Sequence, residues 1–291
     1  AGRGPALEAW TGPVDLVHAT NYVAPPTAAP VVVSVYDLTV LRYPELCTPD
    51  TLQYPELLRR AIGRGAVLHA PSAAIAVECV AELGAPEDRV ATIPLGLPPV
   101  AGGRIRHGHR AAGHERYVLA LGTVEPRKNL PALVEAFDRL AADDPDLHLV
   151  HAGGDGWDGG AFDLAVTQAA HRDRIVRLGY VDATTRADLL AGARAFAYPS
   201  RYEGFGFPPL EAMANGVPVV ATAVGSLPEV LGDGARLVPD GDPDALVEAL
   251  ATVLADAATR DDLVARGRTV AARYTWAATT DALIALYRSL V

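Results

Sequence analysis

The sequence is poor in lysine, cysteine and long hydrophobic runs. It contains one lysine, Lys128, among 25 basic residues, so arginine supplies nearly all of its positive charge. Two cysteines, Cys47 and Cys79, are too few for a disulfide framework or a zinc site, and both are expected to be buried thiols. No apolar run reaches the ~18–20 residues of a membrane span, and no signal-peptide pattern is recognised. These absences predict a soluble, cytoplasmic protein.

The charge balance excludes one class of partner and limits another. The net charge is −10, and no cluster of basic residues interrupts the acidic balance. Nucleic acid is therefore not an expected partner, because phosphate backbones attract basic surfaces. Tight docking on anionic lipid is disfavoured for the same reason, which leaves peripheral membrane contact at most.

Short apolar runs alternate with amphipathic stretches along the whole chain. Such alternation is typical of parallel sheets covered by helices on both faces, so the fold class is expected to be α/β. The expected strands are 14–18, 30–35, 66–70, 90–93, 117–121, 147–151, 174–178, 194–198, 217–221 and 235–238. The expected helices are 50–62, 72–83, 130–141, 161–171, 184–191, 208–215, 243–256, 259–273 and 276–290.

A length of 291 residues predicts two domains. Residues 96–116 carry Gly, Pro, Arg and histidines without periodicity and are interpreted as an interdomain linker. The first domain is placed at 1–112 and the second at 113–275. A terminal helix at 276–291 is expected to cross back to the first domain.

The segment 198–216 combines two carboxylates with a glycine-rich loop and a helix start. Glu203 and Glu211 are eight positions apart, and glycines 204 and 206 between them leave the backbone open to a ligand. Amides at a helix N-terminus suit a phosphate, and carboxylates suit sugar or ribose hydroxyls. The pattern favours a nucleotide-sugar site. On spacing alone, the alternative is a structural turn with solvated glutamates.

Lys128 lies between a strand-like run and a helix-like run, in the segment 122–130. This position is a βα loop at the carboxyl edge of a sheet, where open α/β folds bind ligands. Lysine is a compact point charge that arginine does not always replace. A lysine here could neutralise a diphosphate leaving group. Chance survival of a single lysine is the competing interpretation.

Several motifs, in order, resemble the donor-binding domain of retaining glycosyltransferases with the GT-B fold, in the large family 4 (group 1). The resemblance is dense over about 115–240 and looser in the first half. The matching segments are 122–129 (GTVEPRKN), 151–154 (HAGG), 178–181 (LGYV), 198–200 (YPS), 203–208 (EGFGFP), 211–220 (EAMANGVPVV), 225–230 (GSLPEV), 15–18 (DLVH), 35–38 (VYDL) and 93–96 (IPLG).

The resemblance implies two Rossmann-like parallel-sheet domains facing a cleft. It also implies roles for individual residues. Lys128, with Arg127 beside it, would contact the donor diphosphate; Glu211 would accept the ribose hydroxyls; Glu203 would hold hydroxyls of the transferred sugar. The other implied donor-side positions are Gly122, Thr123, Gly204, Phe205, Gly206 and Phe207.

The chain departs from the family pattern at two of these positions. Thr123 stands where many relatives have arginine. On the acceptor side, Tyr36 stands where many have histidine, next to Asp37. A tyrosine can still hydrogen-bond a sugar hydroxyl.

The implied reaction is metal-independent, retaining transfer of a hexose from a nucleoside-diphosphate sugar to a glycan, lipid-linked or secondary-metabolite acceptor. The expected donor is GDP-mannose or a UDP-hexose. GDP-mannose comes first because the segment 125–129 (EPRKN) resembles that of mannosyltransferases of polysaccharide assembly. No cofactor and no metal site are expected. A catalytically incomplete nucleotide-sugar-binding module and a nucleotide-sugar 2-epimerase are the alternatives. By analogy with two similar-sized lobes, the first domain is expected to be incomplete, with roughly 80 residues of a typical acceptor domain missing.

Overall fold

The computed structural model describes residues 5–99, 102–158 and 160–291. These residues divide into two compact units, each with its own parallel sheet. Of the described residues, the first unit comprises 5–96, 203–205 and 274–291, and the second comprises those of 97–202 and 206–273.

The sheet of the first unit has four parallel strands in the order β1-β2-β3-β4. Runs of valine suit its central strands, because β-branched side chains pack well on a pleated surface that is covered on both faces. The strands are β1 Val17–Ala19, β2 Val31–Ser34, β3 Val67–Ala70 and β4 Val90–Thr92.

The helices of the first unit lie between its strands in the sequence, except for one before β1 and one at the end of the chain. Ser72 caps one helix, its side chain accepting a hydrogen bond from the Ile75 amide. The terminal helix is tied to the sheet region by Thr279, whose hydroxyl donates to the Pro94 carbonyl oxygen at 2.8 Å. The helices are α1 Glu8–Thr11, α2 Thr39–Arg42, α3 Tyr54–Gly63, α4 Ala73–Leu83 and α13 Trp276–Arg288.

The sheet of the second unit has six parallel strands in the order β10-β9-β8-β5-β6-β7. The chain runs outward from β5 in one direction and then from β8 in the other, so β5 and β8 flank the topological switch point. Ligands of open α/β sheets bind beyond the carboxyl ends of such strands. The strands are β5 Tyr117–Leu121, β6 His148–Ala152, β7 Ile175–Arg177, β8 Ala195–Tyr198, β9 Val219–Thr222 and β10 Ala235–Val238.

A continuous apolar core lies between this second sheet and its helices. Leu133 and Phe137 on one helix are buried with Leu250 on another and with Val118 in the sheet. The helices are α5 Ile105–Ala112, α6 Leu130–Asp143, α7 Ala161–Gln168, α8 Ala183–Gly192, α9 Phe207–Ala214, α10 Leu227–Leu231, α11 Pro243–Ala255 and α12 Ala257–Ala271.

The expected α/β class and all ten expected strands are confirmed, with shifts of a few residues at their ends. Two local expectations were wrong. The aperiodic stretch 96–116 contains α5, which packs against α8 through small residues; a Cβ on Gly108 would lie 2.0 Å from the Asp188 carbonyl oxygen. Cys79 is buried as expected, whereas Cys47 is only partly buried and follows a short 3-10 turn.

The part of the chain that the structure describes contains no helix both long and apolar enough to cross a membrane.

Candidate active site

Lys128 ends a short 3-10 turn in the loop that joins β5 to α6, at the switch point of the second sheet. The loop begins at Gly122, whose φ of +142° favours glycine, and Thr123 after it is exposed. Asn129, with a φ of +52°, turns the chain into α6. These turns fold the lysine inward, so that only 9% of its surface is exposed.

The ammonium group of Lys128 is held against an aromatic ring and near one carboxylate. It donates a 2.7 Å hydrogen bond to the Tyr198 hydroxyl and lies 4.8 Å from the centre of that ring. Oε1 of Glu125 is 4.0 Å from Nζ. Tyr198 is the last residue of β8, so the two strands that flank the switch point jointly position the charge.

Arg127 shares the same carboxylate and belongs to the same loop. Its Nη2 donates to Oε1 of Glu125 at 2.6 Å, and its Nη1 donates to the Tyr202 carbonyl oxygen at 3.0 Å. Two cations thus share the Glu125 carboxylate at the end of the sheet.

Glu211 lies one turn into α9 and pairs with Arg186 of α8, whose Nη2 donates to Oε2. Burial raises the pKa of this carboxyl above its usual range, and the neighbouring guanidinium partly offsets the rise. The pair borders a cavity of about 130 Å³, which is smaller than the usual range of small-molecule sites. The other lining residues are Leu97, Pro98, Pro99, Ala183, Ala187, Leu190, Ala214 and Asn215.

Glu203, Gly204 and Phe205 group with the first unit, whereas Gly206 and Phe207 group with the second. Glu203 is 6% exposed and Phe205 packs edge-on against Tyr274, with ring centres 5.4 Å apart. Gly206, with a φ of +94°, precedes the first turn of α9, which carries proline. The structure thus places Lys128, Arg127 and Glu211 in one unit and Glu203 in the other.

Tyr36 and Asp37 follow β2 at the carboxyl end of the first sheet. The Tyr36 carbonyl oxygen is 1.8 Å from where a Cβ on Gly204 would lie, so only glycine allows this close approach. The Tyr22 hydroxyl accepts a 2.9 Å bond from the Asp37 amide and donates to the Asp37 carbonyl oxygen at 3.1 Å. The turn is thus held between an aromatic side chain and the Gly204 backbone.

Comparisons with known proteins place the chain in a family. The family model of glycosyl transferases group 1 matches residues 103–270. The chain belongs to this family. The O-antigen chain mannosyltransferase B of Escherichia coli is 31% identical over 284 residues, covering 94% of this chain and 74% of that protein.

Solved structures of glycosyltransferases share the fold. Sucrose-phosphate synthase of Thermosynechococcus elongatus superposes with a TM-score of 0.81 at 22% identity, covering 97% of this chain and 75% of that one. The HepE protein of Anabaena, solved with UDP and glucose, gives a TM-score of 0.74 at 20% identity, covering 90% and 72%. At these identities the likeness shows the fold alone. The expected resemblance to group 1, mannosyltransferase-like proteins with the GT-B fold is confirmed.

The glycosyltransferase motifs led to Lys128 and Glu211 but not to their partners. Glu125 and Tyr198 lie inside the recognised segments. Both can accept a hydrogen bond from a cation, so the sequence alone could have identified them as candidate partners. No sequence motif identified Arg186, because its pairing with Glu211 depends on how α8 packs beside α9. Within the described residues, no group of three or more His, Cys, Asp or Glu could hold a metal ion.

Proposed function

We propose that this member of glycosyl transferases group 1 transfers a hexose from a nucleoside-diphosphate sugar. GDP-mannose is the first candidate for the donor and a UDP-hexose is the second. The acceptor class is a glycan, a lipid-linked sugar or a secondary metabolite. One observation carries the proposal: a nearly buried ammonium, Lys128, held beside Tyr198 at the switch point of the sheet. The E. coli relative is an O-antigen mannosyltransferase, which supports mannose and polysaccharide assembly.

The proposed chemistry begins with charge at the leaving group. When the bond between the sugar and the diphosphate breaks, negative charge develops on the departing phosphate oxygen. Lys128 and Arg127 would stabilise that charge more in the transition state than in the ground state, which is the condition for catalysis. Since these cations can supply the charge, the proposed reaction needs neither metal nor cofactor.

Hydroxyl recognition falls to the carboxylates. Glu211 would accept the ribose hydroxyls and Glu203 those of the transferred hexose, with the backbone of residues 204–207 near the phosphates. Tyr36 and Asp37 would contact the acceptor. We propose retention of the anomeric configuration through front-face attack, with no covalent nucleophile. A cytoplasmic location remains part of the same proposal.

Binding and product analysis on the full chain test this proposal. Calorimetry with GDP, UDP and ADP, in EDTA and again in Mg²⁺, should show selective binding to one base without metal. NMR of the product from an α-linked donor should show an α linkage. Binding without transfer to any acceptor or to water would favour the incomplete binding module, and conversion of the donor sugar itself would favour the 2-epimerase. No nucleotide binding would contradict the proposal altogether.

A further inference from the structure

A large cavity of about 700 Å³ lies in the first unit, at the amino ends of β2 and β3. This volume falls within the range of small-molecule sites. The carboxyl end of β2 leads to Tyr36 and Asp37, so the cavity lies at the opposite edge of the same sheet. The proposed transfer chemistry makes no use of it. Its wall is formed by residues 23–31, Leu57, Arg60, Ala61, residues 64–67, Arg89, Ser289 and Leu290.

The charge of the cavity is opposite to that of the chain as a whole. Among the described residues of its wall, three are arginines and none is an aspartate or glutamate, although the net charge of the protein is −10. Arg60 is paired with Glu56 at 3.0 Å, outside the lining, and Arg89 donates to the Gly65 carbonyl oxygen at 3.0 Å. The Arg64 guanidinium makes no hydrogen bond or ion pair to any residue in the described ranges.

The nearby carboxylates lie outside the described wall of the cavity. Glu8 holds the outer loop, accepting bonds from the Thr27 hydroxyl at 2.5 Å and the Ala28 amide at 2.9 Å. Glu87 and Asp88 precede Arg89 in a short 3-10 turn and are absent from the wall. The arginine side chains are exposed, so their charge is within reach of a ligand from solution.

The rest of the wall is apolar. Pro25, Pro26 and Pro30 lie in the loop before β2, and Leu57 and Leu290 add aliphatic surface. Proline and leucine side chains cannot pair with the charged part of a ligand. They can bury an apolar part, such as a hydrocarbon chain or a ring. A cluster of guanidinium groups recognises phosphate oxygens well because each group presents several parallel donors.

We propose that this cavity is a second ligand site, which binds a phosphate ester through Arg60, Arg64 and Arg89 and its apolar substituent against the prolines. A free phosphate ester and the headgroup of a phospholipid share this chemistry. The site is distinct from the proposed donor site, because no residue assigned to that site lines the cavity.

Two arms of one experiment on the full chain separate the two sources. Phenyl phosphate and inorganic phosphate are titrated by calorimetry, and flotation is measured with phosphatidylcholine vesicles with and without phosphatidic acid. The test variant is Arg64→Gln. The matched control is Arg59→Gln, which removes the same charge from α3, five residues away and outside the cavity; Arg59 donates to the Glu82 carbonyl oxygen. Thermal melting confirms that each variant is folded.

We expect phenyl phosphate to bind more tightly than inorganic phosphate, and Arg64→Gln to weaken binding in at least one arm roughly five- to tenfold. Arg59→Gln should change it less than about twofold. Binding in the calorimetric arm alone assigns a free ester, and binding to phosphatidic acid vesicles assigns a lipid headgroup.

Three results would overturn the inference: no binding in either arm, equal losses in Arg64→Gln and Arg59→Gln, or loss in Lys128→Ala but not in Arg64→Gln. The last result would place the phosphate in the donor site instead. Since Arg64 has no part in the proposed transfer, its substitution should leave turnover unchanged, and a failure here is distinguishable from a failure of the proposed function.

Discussion

The Lys128 ammonium and the Tyr198 hydroxyl are 2.7 Å apart, and they come from the loop after β5 and the last residue of β8. The two strands that flank the switch point therefore position one charge between them. Glu125 lies 4.0 Å from the same nitrogen and also binds Arg127. The site is preorganised, because its charge is fixed by the fold before any substrate arrives.

Lys128→Ala should lower kcat about 100–1,000-fold, because one preorganised donor to a developing anion typically contributes ~2.7–4 kcal/mol. Steady-state kinetics with the donor identified by calorimetry measures this loss. Arg139→Ala is the matched control, since Arg139 is an exposed cation of α6 paired with Asp244. The control should retain full activity. A near-normal kcat in a folded Lys128→Ala protein would remove the lysine from the mechanism.

Glu211→Ala should weaken binding of the nucleoside diphosphate itself about tenfold or more, because hydrogen bonds to a charged group contribute ~1.5–3 kcal/mol. Glu135→Ala, an exposed carboxylate on α6, serves as control. A double-mutant-style cycle sharpens the test: the 2′-deoxy nucleotide should bind more weakly to the wild type, but with no further loss to Glu211→Ala. Unchanged affinity of the variant for both UDP and GDP would rule out the ribose role.

Two adjacent glycines should respond differently to alanine. A Cβ on Gly153 would lie 1.8 Å from the Gly122 carbonyl oxygen, whereas a Cβ on Gly154 has nothing within 4 Å. Gly122 starts the loop that carries Lys128, and its carbonyl oxygen accepts a 2.9 Å bond from Nε2 of His151. We expect Gly153→Ala to cost about 1–3 kcal/mol of unfolding free energy and to lower turnover. Gly154→Ala should cost less than about 0.5 kcal/mol.

Urea denaturation and kinetics on both glycine variants provide the measurement. Equal stability and equal turnover of the two proteins would mean that the close approach of residues 122 and 153 does not position the loop.

The sequence predicts the parts of this molecule that depend on local pattern. Valine-rich runs marked the buried parallel strands, and glycine and proline marked the loops that carry Lys128 and Glu211. Helix α5 was not predicted from the sequence, because it packs through Gly108 and Ala112 and has no stripe of large apolar residues. Small residues carry no periodic signal, yet they allow two helices to approach closely.

Contacts between segments that are distant along the chain could not be predicted from the sequence either. Arg186 and Glu211 are on different helices, and their register is set by packing of the whole unit. Glu203 and Glu211 are eight positions apart, and the loop between them passes from one compact unit to the other. Spacing along the chain could not reveal that division.

Unfolding free energy should fall as the pH drops below about 6.5, because of a hydrogen-bonded chain in the first unit. His69 Nε2 lies 2.9 Å from the Ile93 carbonyl oxygen, which can only accept, so this nitrogen carries the hydrogen. The Ser34 hydroxyl then donates to His69 Nδ1 at 2.8 Å, and His18 Nε2 donates to Ser34 at 2.9 Å. The Tyr287 hydroxyl completes the chain by donating to His18 Nδ1 at 2.5 Å. This is the assignment for neutral imidazoles, the form that burial favours.

Burial lowers the pKa of both His18 and His69 below the ordinary value of 6.5. Between that value and the lowered ones, the unfolded chain binds protons that the folded chain does not. Each histidine then costs up to ~1.4 kcal/mol of unfolding free energy per pH unit, a loss that is absent above pH 6.5. Burial lowers the pKa of His151 and His114 as well, so these residues add to the same slope.

Urea denaturation across pH 5–8 measures the slope, and the His18→Gln/His69→Gln double variant should flatten it by about half, since two of the four contributing histidines are removed. Tyr287→Phe, which removes only the terminal donor, should lower stability by ~0.5–1.5 kcal/mol at pH 7.5. If the double variant does not fold, NMR titration of the wild-type imidazoles gives the answer directly. Resonances of His18 and His69 that titrate at or above pH 6.5 would contradict the neutral chain, because a protonated His69 could not accept from Ser34 and a protonated His18 could not accept from Tyr287.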